Sequence, residues 1–312
     1  MADKKQKKRV EKTEQVDAQG NPIVSAPPSG WRVIFREFTH DKGAMVAFVI
    51  MAVIILGAVI GSFFVPSSRY VDVNIMWQWA KPGTDGLLLG ADDSGRDVMA
   101  ELIVGLRNSI AIGWCVALFI EIIGILVGLS SGYFGGWVDN ILMRITDFFM
   151  ILPALMIQIV VITIVPHFSI WVLIAMITAL GWMTTARLYR AAVLSQAKRD
   201  YVLASKTSGS SNFKIMFFGV LPNISSLLLV DITLSFATSV GIETGLTYLG
   251  YGLPDTTPSI GRLISFASDP VNMTQYPWSW LPATLILIVL SLSVNYVGKA
   301  LQRAADSRQR LG

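Results

Sequence analysis

The chain predicts an all-α membrane protein of six transmembrane helices with both termini in the cytoplasm. Three observations predict it. Of its 312 residues, 53% are hydrophobic and only 15% charged, with a mean hydropathy of +0.57, whereas a soluble domain is about a quarter charged. Uncharged runs long enough to cross a bilayer, which takes about 20 helical residues, recur along it. The basic residues gather on alternate connections between those runs.

Residues 1–30 are charged and then Pro/Ser-rich, without periodic apolar positions, and read as a disordered basic cytoplasmic tail. Residues 31–65 hold an N-terminal interfacial segment and the first span, uncharged from Ala44 to Val65. That run starts too late and is too long for a signal peptide. Residues 66–107, with six Asp/Glu, form an extracytoplasmic loop. The core, 108–305, carries five more spans. Asn108 to Val138 has Glu121 as its only charge. A loop over 139–147 leads to Phe148–Ala186, 39 residues without a charge. As one helix this run would measure roughly 58 Å, nearly twice the hydrocarbon thickness. It must fold back, and Pro166-His167-Phe168-Ser169 is the turn. The fifth span runs from about Asn223 to Thr244. The sixth runs from about Leu281 to Val297, with Trp278 and Trp280 leading it in at an interface. Residues 306–312 form a C-terminal tail.

In this arrangement one side holds twenty Lys/Arg and the other five, so the basic side is cytoplasmic. The net charge of +4 then follows from topology and gives no reason to invoke nucleic acid. Membrane lipid is the surrounding partner. One cysteine, Cys115, excludes an intrachain disulfide framework and is a small packing residue. Two histidines offer little for a metal. No GxxxxGK[ST] motif and no nucleophile–base set is present, so there are no catalytic residues and the chain is not an enzyme.

Charges inside spans must face protein or water. Asp231 continues a polar stripe through Ser235, Thr238 and Ser239, which either lines a translocation path or makes an interhelical contact. Glu243, at the end of span five, either joins that path or holds the following loop. Asp147 pairs locally with Arg144, three residues earlier. Glu121 has no assigned role. Gly124, Gly128, Gly132 and Gly136, each four apart, allow close helix approach, within the chain or between subunits.

A polar segment, KRDYVLASKTSGSSNFKIMFFGVLPN (198–223), stands out in so apolar a chain. Before Gly209, Tyr201, Ala204, Ser205 and Ser208 share a small-residue face suited to a partner's groove. Gly209 allows a reversal. After it, Phe213, Met216, Phe217, Val220 and Leu221 form an apolar helical face, with Ser210 or Ser211 as N-cap and Pro222 interrupting the hydrogen bonds before span five.

This segment resembles the cytoplasmic "EAA" motif of binding-protein-dependent ABC importer permeases. Ala204, Gly209 and Leu221-Pro222 match. Leu203 stands where Glu is usual, Ser205 replaces an Ala, and Gly219 takes an apolar position. GADDSGRDVMAELIVGLRNSI (90–110), with Gly95, Arg96, Asp97 and Arg107, is similar to the stretch before span two in peptide-type permeases. GYFGGWVDNILMRITDFFMILP (132–153) and ETGLTYLGYGLPDTTPSIGRLI (243–264), whose Glu243 matches the family's, extend the likeness over about residues 31–305. The chain thus looks like the C-type permease subunit of an oligopeptide/dipeptide ABC importer of the peptide/nickel family, in the bacterial cell membrane.

The resemblance implies the type I importer fold and a coupling segment over 195–222, with Tyr201, Leu203, Ala204, Ser205, Gly209, Leu221 and Pro222 at the ATPase contact. It implies four partners: a homologous B-type permease, two cytoplasmic ATPase subunits, an extracytoplasmic peptide-binding protein and the peptide substrate. ATP and magnesium would sit on the ATPases, leaving this chain without a cofactor. A nickel complex as cargo, or an ion-coupled secondary transporter working alone, are the alternatives.

Overall fold

The computed structural model describes residues 30–165, 169–254 and 256–309. Among the described residues every named element is helical, and the one β feature is the isolated bridge between Ala91 and Asp97. The expected tail lies outside the described residues up to position 29, as does the Pro166–Phe168 turn.

Helix α1 (Gly30–His40) leads into α2 (Lys42–Ser62) through Asp41, whose Oδ1 accepts a 3.1 Å bond from the Ala44 amide and caps α2. Phe38 of α1 is buried among Ala44, Ala47, Val297 and Ala300, while Phe35 is exposed.

Helix α3 (Val98–Phe134) is the axis of the molecule: 37 residues, on the order of 55 Å. It starts ten residues before the expected Asn108, so the loop ends at 97, and Gly105 and Arg107 lie on helix. The reason is local. Asp97 caps α3, its Oδ1 accepting from Met99 N (2.9 Å) and Ala100 N (3.4 Å). Charges in the next turns then find partners instead of ending the helix.

The expected 139–147 loop is also helical, within α4 (Gly136–Ile151). At Leu152-Pro153 the chain bends 77° into α5 (Ala154–Ile164). Proline disfavours the helical conformation in the residue before it, and Leu152 is extended at ψ 133°. Helix α6 (Ile170–Ala179) bends 44° at Leu180-Gly181 into α7 (Trp182–Ala197). Spans three and four are thus bent pairs that outreach the uncharged run at both ends. Helices α2, α3, α9 (Ser225–Tyr248) and α11 (Pro277–Gln309) are each long and apolar enough to cross a membrane, and each bent pair counted as one span brings the number to six. Between α7 and α9 stands α8 (Asp200–Thr207), and α10 (Ile260–Ser265) lies before α11. Helix α11 continues through 309, beyond the expected start of the tail at 306.

The glycine row serves packing within the chain. A Cβ on Gly124, Gly128 or Gly132 would come within 2.4 to 2.8 Å of Thr185, the Ala186 carbonyl and the Arg190 carbonyl, so α3 and α7 touch backbone to backbone. Gly136 takes no part: it opens α4 at φ +51° with open space around it.

The two ends of the bundle are distinct. At one, Arg303 near the end of α11 pairs with Asp41 (2.8 Å), and α3 ends beside α8. At the other lie the loop 63–97, α10 and the start of α11. We call these the α8 face and the loop face.

Candidate functional site

On the α8 face, the eight-residue α8 is set by short-range chemistry. Asp200 lies in its first turn and Lys206 in its last, each favourable to the helix dipole. Gly209, at φ +78°, ends it in a Schellman turn: Gly209 N bonds Lys206 O (3.1 Å) and Ser210 N bonds Ser205 O (3.1 Å). Val202 is fully buried in a cluster with Leu129, Tyr133, Tyr189, Val193 and Ile215. Tyr201, Leu203 and Ala204 face outward, with Leu203 51% exposed, while Ser205 is half-buried. The Ser205, Thr207 and Ser208 hydroxyls turn back onto carbonyls of their own helix, so they do not bristle outward for hydrogen bonding. The result is a short, smooth helix anchored by one valine and presenting an apolar ridge.

The second arm departs from expectation. Ser211 caps at Lys214 N, as predicted, but residues Ile215–Val220 form a π-helix. Its wider turn changes which positions share a face. Ile215, Met216, Val220 and Ile224 are buried, and Phe213 is 65% exposed, where 3.6-residue spacing placed it on the apolar face. Leu221 is half-buried and Pro222 exposed at the start of the single turn Leu221–Asn223.

The polar stripe on α9 is not one surface. The Thr185 hydroxyl donates to Asp231 Oδ2 (3.1 Å), and the Asp231 carboxyl also contacts that of Glu121. The Tyr189 hydroxyl donates to Glu121 Oε1. Asp231 on α9 thus touches side chains of α3 and α7, and Glu121 lies at the same junction. Ser239 is buried, Ser235 half-buried, and Thr238 exposed with its hydroxyl bonded to Leu234 O (3.0 Å). Glu243 is fully buried: Ser109 (3.0 Å) and Thr247 (3.2 Å) donate to it, and Ser109 Oγ accepts from Ile260 N (3.2 Å). Through Ser109 it is linked to the start of α10. Asp147 pairs with Arg187 of α7, 40 residues away, and not with Arg144, while Asp139 takes a two-pronged bond from Arg190 (2.5 and 2.6 Å).

On the loop face, Asp92 Oδ1 accepts from Ser94 N (2.9 Å) and Arg96 N (2.7 Å), closing a turn with Gly95 at φ +77°. A Cβ on Gly95 would lie 1.8 Å from Asn74 O, so glycine alone fits. Arg69 Nη1 pairs with Asp97 Oδ2 (3.1 Å), buried Arg96 with Glu101 (3.8 Å), and Arg262 of α10 with Asp92 (3.8 Å). Arg107 reaches Asn108 Oδ1 (2.9 Å), whose Nδ2 donates to Pro258 O (2.8 Å). The motif is a knot that fastens the loop to α3 and α10. Glu101, Arg262 and Ser109 are its other members: all three lie in the stretches that resemble the family, but the sequence does not single out Glu101.

The fold and these faces define a multi-span membrane protein, and among the described residues no group of His, Cys, Asp and Glu is placed to hold a metal. Residues 124–310 match the binding-protein-dependent transport system inner membrane component, and residues 29–82 match the N-terminal TM domain of oligopeptide transport permease C. The chain belongs to this family of binding-protein-dependent transport permeases, with the type I ABC importer permease fold. It is 47% identical over 276 residues to the oligopeptide transport system permease protein OppC of Lactococcus lactis subsp. lactis (strain IL1403), covering 88% of this chain and 94% of the relative. It is 36% identical to OppC of Bacillus subtilis (strain 168), with 90% of each chain covered. It is 32% identical to the di/tripeptide transport system permease protein DppC of Pseudomonas aeruginosa (strain UCBPP-PA14), over 94% of this chain and 98% of the relative.

Proposed function

We propose that this permease forms half of the translocation path of an oligopeptide importer and is driven through α8. The kinship to OppC and DppC proteins supports the peptide substrate. The α8 face is the cytoplasmic one, where two ATPase subunits dock, and the loop face meets the peptide-binding protein. A homologous B-type permease supplies the other half of the path. ATP and magnesium stay on the ATPases. Of the polar stripe, Thr238 is the position open to the path, with Ser235 beside it.

The observation that carries this reading is the outward ridge of Tyr201, Leu203 and Ala204, fixed on a helix anchored by Val202 and ended by Gly209. A connection between spans needs only a few residues, whereas a mechanical contact needs a rigid protruding element. Ala204→Asp tests it. A charge buried without a partner costs about 3–5 kcal/mol, so the variant complex loses its ATPases in a pull-down while the two permeases stay paired. Retention of the ATPases with normal peptide-driven ATP hydrolysis overturns the proposal.

A further inference from the structure

Tyr133 is the next-to-last residue of α3 and is buried. It touches both arms of the segment that reverses at Gly209. Its hydroxyl donates to Asn212 Oδ1 (2.9 Å), just after the reversal, and the Lys206 ammonium lies 4.6 Å from its ring centroid, just before it. Its ring belongs to the cluster that seats Val202, Ile215 and Met216. The two polar contacts grip the arms from one point, so the hairpin moves with α3 or strains both.

At its other end α3 is gripped as firmly. Asp97 caps it and pairs with Arg69, Glu101 pairs with Arg96, and Ser109 ties it to Glu243 and Ile260. No break interrupts the helix between these ends. A helix of this length transmits displacement along its axis, because each turn is hydrogen-bonded to the next.

We infer that Tyr133 is the joint through which movement of α8 is passed to α3 and so to the loop face. It is a positioning residue, apart from the ridge on which the ATPase docks. The inference rests on the proposed role of α8.

The experiment uses the whole reconstituted importer and reads peptide transported per ATP hydrolysed beside ATPase pull-down. Tyr133→Leu removes both polar contacts and keeps an apolar filling. It should retain the ATPases and hydrolyse ATP, yet transport at least about fivefold less peptide per ATP, the lower end of coupling between distant sites. Tyr133→Phe keeps the ring under Lys206 and loses only the Asn212 bond, so its loss should be smaller and matched by Asn212→Ala. Combining those two should add no further loss, because both remove the same bond. Wild-type transport per ATP in Tyr133→Leu overturns the inference. If Tyr133→Leu does not assemble, wild-type ratios in both Tyr133→Phe and Asn212→Ala overturn it. Ala204→Asp separates the two ideas. Loss of ATPases there with unchanged Tyr133 variants defeats this inference alone, and retention of ATPases there defeats the docking role itself.

Discussion

Glu243 and Ser109, 134 residues apart, meet in a 3.0 Å hydrogen bond sealed between α9 and α3. The serine oxygen donates to the carboxylate and accepts from the Ile260 amide, so one hydroxyl ties two helices to the start of α10. Ser109→Ala removes a donor from a buried carboxylate, which costs about 1–3 kcal/mol. We expect a lower melting temperature for the purified complex, earlier proteolysis of residues 249–259, and unchanged peptide selectivity. Unaltered melting and proteolysis would show the bond to be idle.

Two glycines in the left-handed region should respond differently. Gly209 has open space where a Cβ would go, so Gly209→Ala carries only the conformational cost of about 1–2 kcal/mol. At Gly95 the Cβ would also strike Asn74 O, and Gly95→Ala should exceed about 4 kcal/mol and leave loop 66–97 open to protease. Equal behaviour of the two variants would contradict the packing.

Asp92 gives the loop face a pH dependence. Burial pushes its carboxyl up from 3.8 to about 6, aided by the charge of Asp93 and opposed by bonds from the Arg96 and Ser94 amides and by Arg262. Between those values the folded loop holds a proton that the unfolded chain has released. Through Asp92, stability therefore falls as pH rises from about 4 to 6. Protease resistance of the loop, followed against pH, checks this, and Asp92→Asn should flatten that fall.

Sidedness is tested by labelling. In a Cys115→Ala background, cysteines placed at the exposed Ser68 and Ser268 should react with an impermeant thiol reagent from outside intact cells. A cysteine at exposed Ser208 should react only after permeabilisation. Reaction of the Ser208 position from outside would reverse the assignment of the faces.

The amino-acid sequence by itself determined the class, the apolar segments able to cross a membrane and the place of the hairpin at Gly209. These follow from hydropathy, bilayer thickness and a glycine's freedom, all of them local. The glycine row at 124, 128 and 132 was legible too, because a four-residue period shows which helix face is small. The tertiary structure alone decided where the charges go. Asp147 could be assigned from sequence only to its neighbour Arg144, but a side chain pairs with whatever the packed helices bring near, and that is Arg187. The stripe from Asp231 to Ser239, with Glu243 beyond it, looked open because helical spacing records a face and not what covers it. Thr185 and Glu121 cover one end, and Ser109 and Thr247 the other. Helix ends outran the apolar runs for the same reason: Asp139 and Arg190 sit within helices paired with each other, Asp97 caps α3 while pairing with Arg69, and each partner comes from a distant part of the chain.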